Sequence, residues 1–484
     1  MKKSILLVSM LFVLSGLAGE VEVITHAVSW REQVKAKIVV QPETETSEAW
    51  KFTPQPFPAM DRIVAQKPDD VPLYGCYAWG ETYLKFRKDI KAVGWTAYRM
   101  GGYDDEAALI AAMEDGVEIL KQVQIGKTLA EIKTTGKRDA FDSDEAFIQK
   151  FLLELDEFCL KYGPGGSLSI QRPDLAKNPV RHVEVLNEPN EQYMLARFEG
   201  EEHGAKLKAA RDRLYAKVLK ATYAFMKNKH PNIKVVGFSA SGGAMDDVRF
   251  IGNVHAIDPA IINSYDILAT HPYTDVPPMA DALRKWGSYS VSKSWELLRN
   301  ITVKYGCPDK PIWWNEVGWN ISQQDGGLSP LKPFMPAMSA AACVTKMYVL
   351  ASRLGIRRVH IFSVADVQGN AGFFHPTTGE WRPSAYAVQQ MIRLMPKPRL
   401  LAAISEETGG LYAYQFKRDW TMADSKDVIM VWQEQKRGDL CVPIPAGHKV
   451  AKLLNMLGGE EPFTIKDGTV QFGGGPLPSY LVLE

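Results

Sequence analysis

The stretch "VRHVEVLNEP", Val180 to Pro189, decides how this chain is read. Its apolar run has the length and texture of a buried strand. At the end of that run stand an amide, a carboxylate and a proline: Asn187, Glu188 and Pro189. A strand that ends this way delivers an acid to a loop. Such an acid is either an ordinary solvated loop residue or one half of a catalytic pair. In the second case its partner stands elsewhere in the chain.

The same unit recurs on both sides of this stretch, from about Val71 to Met395: a short apolar run, a loop, a longer helical pattern. The runs are "VPLYGCYAWG", "WTAYRMGG", "GVEILKQVQIG", "VRHVEVLNEP", "IKVVGFSASGG", "YDILATHPY", "KPIWWNEVGW" and "RRVHIFSVAD". Helical patterns between them include "TYLKFRKDIKAVG", "EAFIQKFLLELDEFCLKYG", "LKAARDRLYAKVLKATYAFMKNKH", "VSKSWELLRNITVKYG", "MSAAACVTKMYVLASRLG" and, after the last run, "SAYAVQQMIRLM". Strand and helix in alternation imply a parallel sheet, and eight units imply a (β/α)8 TIM barrel, here over 61–396. Links from helix to strand are short. Links from strand to helix are long, as in Asn190–Gly204, Thr274–Ser288 and Asn320–Pro336. In a barrel the long links all gather at the C-terminal face, where active sites are built. An open doubly wound sheet would often carry a Gly-rich phosphate loop after its first strand, and "YGCYAWGE" is not that pattern.

After Met395 the texture changes to short alternating strands with Gly, Pro and Asp-Gly turns, which predicts a small C-terminal antiparallel β-sandwich over 397–484. The segment 20–60, with "VKAKIVV", could add one or two strands to it. Residues 1–19 read as a cleavable signal peptide: Lys2 and Lys3, an apolar stretch from Ile5 to Leu17, then small residues, with cleavage near Ala18 or Gly19. The expected location is therefore exported, periplasmic or secreted. The apolar stretch is short for a bilayer span, and no membrane span is expected once it is removed.

Composition excludes some partners. A net charge of +1 from 57 basic and 56 acidic side chains gives no reason to expect nucleic acid or an anionic membrane. Five scattered cysteines are no disulfide framework. No Cys/His spacing suggests a metal site, and no cofactor is expected.

The partner of Glu188 is found in "PIWWNEVGWN". Glu316 ends the seventh run as Glu188 ends the fourth, and both follow an asparagine, Asn315 and Asn187. Strands four and seven of an eight-stranded ring lie on roughly opposite sides, so the two acids can face each other across its mouth. Two facing carboxylates can cleave a glycosidic bond, one as proton donor and the other as nucleophile. The expected partner is thus an oligosaccharide or polysaccharide.

Here the chain resembles a family, clan A of the glycoside hydrolases. "VEVLNEPN" is close to the strand-four motif of glycoside hydrolase family 39 and, less so, family 5. "GFFHPTTGEWRPSAYAV" is similar to the stretch after strand eight in family 39. The resemblance implies retaining hydrolysis of a β-linked glycoside, with Glu188 as acid/base and Glu316 as nucleophile. It also matches Arg99, in "YRMGG", and Tyr273, in "HPY", to supports of the nucleophile. Asn187 can contact the sugar 2-hydroxyl, and His271 is a weaker candidate for the same site. Trp79, Trp319 and Phe374, on loops at the same face, could stack on sugar rings. Asp366, at the end of the eighth run, is a candidate substrate contact where the clan often has a tryptophan. Glu184, in the body of strand four, reads as structural and bonded to a basic neighbour. Two other readings compete: a non-catalytic carbohydrate-binding protein on a degenerate barrel, and a metal-dependent barrel hydrolase.

Overall fold

The computed structural model describes residues 73–101, 106–123, 143–191, 205–242, 245–274, 291–321, 335–365, 371–406, 410–434 and 438–484. The segments 1–19 and 20–60, and Asp366, lie outside the described residues.

Eight parallel strands close a barrel in sequence order. They are β1 (Tyr74–Trp79), β2 (Ala97–Gly101), β3 (Glu118–Val123), β4 (His182–Val185), β5 (Lys234–Ser241), β6 (Ile267–His271), β7 (Ile312–Val317) and β8 (Val359–Ile361). β1 pairs with both β2 and β8, which seals the ring. One main helix follows each strand: α1 (Gly80–Val93), α2 (Glu106–Glu114), α3 (Asp144–Tyr162), α4 (Ala205–Lys229), α5 (Asp246–Ile257), α6 (Val291–Lys304), α7 (Ala337–Leu354) and α8 (Pro383–Leu394). Local chemistry marks their ends. Ser143 caps α3 by accepting the amide of Ala146, with Asp144 and Glu145 in the first turn. Gly355 ends α7 in the left-handed conformation.

Successive strand residues point to opposite sides of the sheet, and "IWWNEV" uses both. Trp313 fills the barrel interior in a layer with Leu120, Val236, Ile267 and Ala269. Trp314 points outward into the larger core between strands and helices. The Arg358 guanidinium lies over the Trp313 ring, 4.2 Å from its centroid, and pairs with Glu118 at 2.6 Å. Burial is the largest influence on Glu118 and raises its carboxyl. The nearby His182 ring and Arg358 outweigh burial and bring it down to about 2.

The eighth strand is shorter than the run "RRVHIFSVAD". Only Val359–Ile361 is strand, and the Phe362–Ser363 peptide is cis. Phe362, not Asp366, follows the strand directly.

The C-terminal region forms β9 (Arg399–Glu406), β10 (Leu411–Lys417), β11 (Asp427–Gln433), β12 (Gly438–Pro443), β13 (Val450–Asn455), β14 (Thr464–Lys466), β15 (Thr469–Gly474) and β16 (Ser479–Leu483). They make two antiparallel sheets, of order β13-β16-β11-β10-β9 and β12-β15-β14. Their inner faces share a core that includes Ile429, Val431, Leu440, Val470, Phe472 and Leu481. The larger sheet rests on α7 through a buried pair, Lys346 Nζ to Glu434 Oε1 at 2.8 Å. Trp432 Nε1 donates to the same oxygen at 2.8 Å. All five cysteines are free thiols. Among the described residues, no helix is long and apolar enough to cross a membrane.

Candidate active site

Glu188 is aimed by an irregular strand end. After β4, Leu186 (φ 63°) and Glu188 (φ 44°) both take the left-handed conformation, which side chains other than glycine's adopt only under strain. β5 meets them with a bulge, where Phe238 and Ser239 are also left-handed and the register with β6 shifts. The Glu188 amide donates to the Ser239 carbonyl at 3.0 Å, which ties the two irregularities together. Asn190 then bonds Ser241 in both directions and anchors the chain leaving the site.

Glu316 sits across the mouth at the end of β7. Its two oxygens are held by different groups. Tyr273 Oη donates to Oε1 at 2.6 Å, and Arg99 Nη1 donates to Oε2 at 2.5 Å. Glu188 has a looser setting: His271 Nδ1 lies 2.8 Å from its Oε1 and 3.9 Å from Glu316 Oε2. One oxygen from each glutamate and one nitrogen of His271 lie within 4.8 Å of one another. Both acid side chains reach solvent, Glu188 at 23% and Glu316 at 12% exposure.

Burial is the largest influence on Glu316 and raises its carboxyl. The neighbouring His271 ring and Arg99 guanidinium, with the bonds from Tyr273 and Arg99, together outweigh it and hold Glu316 below the ordinary glutamate value. The Tyr273 phenol moves the other way, pushed well up by burial and then by Glu316, so it stays a donor.

Arg99 organises the floor. It is fully buried in β2 and lies 5.0 Å from the centroid of the Tyr77 ring. Its Nε and Nη2 fork onto Glu184, both at 2.7 Å, and Nη2 also donates to Asn187 Oδ1 at 2.6 Å. Glu184 is thus the buried acid with a basic neighbour, and the neighbour is Arg99. Asn315 follows Asn187 only in name. It points into the barrel, where its Nδ2 donates to Glu184 Oε2 at 2.8 Å and Ser239 Oγ at 2.7 Å.

The aromatic wall differs from the sequence expectation. Trp79 is half-buried and stands edge-on to Tyr77 and Phe362, at 5.2 and 5.7 Å. Phe362 also packs on Tyr77 at 5.1 Å. Gly318 lets β7 pass close to Phe362, since a Cβ there would lie 2.1 Å from the Phe362 carbonyl oxygen. Phe374 is no platform: it is fully buried and stacks on Phe86 at 5.2 Å, packing on α1. Trp319 is buried as well, at 7% exposure, so its ring packs into the top of the barrel and offers no free face. An aromatic just past a strand reads alike in sequence whether it turns to the mouth or the core. Tyr77 and Phe362 complete this wall, and neither is among the sequence candidates. For Tyr77 the available signal was its two-residue spacing from Trp79, which puts both on one side of β1.

No protein-family model matches the chain, and no curated protein matches it. Solved structures do. A family 39 glycoside hydrolase from the gut symbiont Bacteroides cellulosilyticus WH2 is 18% identical, with a TM-score of 0.62 over 86% of this chain and 81% of that one. A family 51 α-L-arabinofuranosidase from Bifidobacterium longum is 14% identical, with a TM-score of 0.56 over 89% of this chain and 97% of that one. A monomeric β-xylosidase from Caulobacter crescentus CB15 is 13% identical, with a TM-score of 0.54 over 87% and 98%. At these identities the likeness is one of architecture: the chain has the fold of clan A glycoside hydrolases, families 39 and 51 among them.

Proposed function

We propose that this protein is an exported retaining glycosidase acting on a β-linked glycoside or polysaccharide. The observation that carries the reading is the carboxylate pair. Glu188 follows β4 and Glu316 lies at the end of β7, on facing sides of one barrel mouth, with oxygens within 4.8 Å. Pairs of carboxyl groups about 5–5.5 Å apart belong to the covalent, retaining mechanism, and wider pairs admit a water and invert. The surroundings divide the roles. Glu316 is kept ionised and oriented by Arg99 and Tyr273, as a nucleophile must be. Glu188 is bonded to an imidazole and gives its proton to the leaving oxygen. It then takes one from the water that releases the sugar. Because Asn187 Oδ1 is occupied by Arg99, its amide nitrogen is the group left to donate to the sugar, in keeping with a contact to the 2-hydroxyl. Trp79 and Phe362 supply apolar faces around Tyr77, whose ring lies against the Arg99 guanidinium. Two fold relatives carry pentose-directed names, an α-L-arabinofuranosidase and a β-xylosidase, and this supports including aryl pentosides in the first substrate screen. Export rests on residues 1–19 alone.

Glu188, His271 and Glu316 also have the donor types and spacing of a metal site. Both Glu316 oxygens already accept bonds from Arg99 and Tyr273, and a cation beside the buried Arg99 would be repelled. Hydrolysis that survives a chelator agrees with the glycosidase reading. Loss with EDTA and recovery with zinc would replace it.

The decisive test is turnover of aryl β-glycosides. Glu316→Ala should lose roughly 10⁴-fold or more of kcat. Glu188→Ala should lose roughly 10²–10⁴-fold on substrates with poor leaving groups and much less on activated ones. Added azide should restore turnover of Glu188→Ala with formation of the β-glycosyl azide. Unchanged activity in Glu316→Ala would sink the assignment.

A further inference from the structure

Glu184 is a third acid at this site, and neither half of the double displacement uses it. It is fully buried in β4, where a carboxylate is retained only if it is well paired. Three donors converge on it. Arg99 supplies Nη2 to Oε1 and Nε to Oε2, both at 2.7 Å, and Asn315 supplies Nδ2 to Oε2 at 2.8 Å. Asn315 in turn donates to Ser239 Oγ at 2.7 Å, beneath the bulge whose carbonyl holds the Glu188 amide. A guanidinium presents five N–H groups in one rigid plane. With two of them forked onto Glu184, the plane has no freedom left. Nη1 must point at Glu316, and the second Nη2 hydrogen must point at Asn187, at 2.5 and 2.6 Å.

We propose that Glu184 is a positioning residue for the glycosidase reaction: its fork aims Arg99 so that one guanidinium holds both the nucleophile and the sugar-binding amide. The inference rests on the reading of Glu316 as nucleophile. Its effect changes through the cycle. When a Glu316 oxygen bonds the anomeric carbon, the glycosidic C–O bond breaks and the Glu188 proton goes to the leaving oxygen. Glu316 becomes a neutral ester, and Arg99 then faces one carboxylate instead of two. Glu184 is the one that remains, and it keeps Arg99 in place. When water attacks, its proton returns to Glu188, Glu316 leaves as a carboxylate, and Arg99 is still aimed to receive it.

The charges around this pair are few. Among the described residues, Glu316 faces Arg99 from β2, Tyr77 from β1, Glu188 after β4, and His271 and Tyr273 at the end of β6. Glu184 faces Arg99, Tyr77 and, from α4, Tyr215. His360 on β8 faces Arg99 from below. Neutralising Glu184 therefore leaves the Arg99 charge less balanced. The ionised form of Glu316 gains, and Glu316 gives up its proton at a lower pH.

The test compares wild type, Glu184→Gln and Glu184→Asp by pH profiles of kcat and KM on an aryl glycoside, by thermal unfolding, and by ¹³C titration of the Glu316 carboxyl. Glu184→Gln should lower kcat roughly tenfold to hundredfold with KM little changed. The acid limb of kcat/KM and the carbon titration should both move down by about half a unit to one unit. A lower Tm with both unmoved would make Glu184 a residue of the fold only and overturn the inference. If Glu184→Gln does not fold, Glu184→Asp serves. It keeps the charge and withdraws the fork by one methylene, so kcat should fall with the acid limb in place, and an unchanged kcat would overturn the inference. The titration needs no turnover. A wild type that cleaves no glycoside but whose Glu316 responds to Glu184→Gln would remove the glycosidase reading and leave the charge coupling standing.

Discussion

Two glutamates of the same chemistry hold different stations at the barrel mouth because their neighbours differ. Glu316 has a cation and a phenol on its two oxygens, and Glu188 has an imidazole. The depressed carboxyl of Glu316 has a measurable sign. In the proposed role of nucleophile Glu316 must be ionised, so the acid limb of kcat/KM should fall below the ordinary glutamate value of 4.5. A limb at or above that value in the pH profile would contradict the setting described here. The same ionisation adds stability above the ordinary value, and that contribution is lost as the pH falls through the depressed one. The acid pair was legible in the sequence because strand ends of a barrel share one face, so two Asn-Glu steps at the right strands had to meet. The direction of the aromatics past a strand end was not legible. There the two-residue alternation stops, and nothing local told Phe362, which packs on Tyr77, from Phe374, which stacks on Phe86.

At the level of elements, the site depends on how closely β1 and β2 approach. Tyr77 lies with its hydroxyl directly over Gly101, where an added Cβ would fall 1.8 Å from that oxygen. Gly101→Ala must push Tyr77 aside, away from Arg99 and Phe362. Overpacking of this kind costs about 1–3 kcal/mol. A lower Tm together with a lower kcat on aryl glycosides is the expected outcome, and full activity would show that the Tyr77 ring position is immaterial. The alternation of strands was readable from apolar runs, yet α2 gives no stripe to read. Ala108, Leu109, Ala111, Ala112 and Met113 are all buried, so "EAALIAAME" lacks the polar face that makes most surface helices visible. β8 is shorter than its apolar run for a different reason. Its apolar texture continues into Phe362, Val364 and Ala365, which are packed but not paired as strand.

The whole molecule is a barrel with a sandwich seated on α7 and α8. The change of texture after Met395 announced the second unit. Its seat could not be read, because the contacts join residues far apart in sequence. Lys346 and Glu434 are both almost fully buried there, at 1% and 0% exposure. Removing one member of such a pair strands the other charge and costs about 3–5 kcal/mol, while replacing both with apolar residues is often neutral. Lys346→Met should therefore destabilise the protein by about that amount in chemical denaturation, and Lys346→Met with Glu434→Leu should recover most of it. Equal losses in the single and double variants would show that the pair does not act as a unit.

The seam between β1 and β8 joins the earliest described strand to the last strand of the ring, with Tyr74 opposite Val359 and Cys76 opposite Ile361. During synthesis from the N-terminus, β1 therefore waits with one edge bare until β8 has emerged. A bare edge of N–H and C=O groups pairs with any extended chain that reaches it. Nascent fragments ending before Val359 therefore keep that edge of β1 without its β8 partner and open to aggregation, and the seam closes only through a contact of long sequence separation.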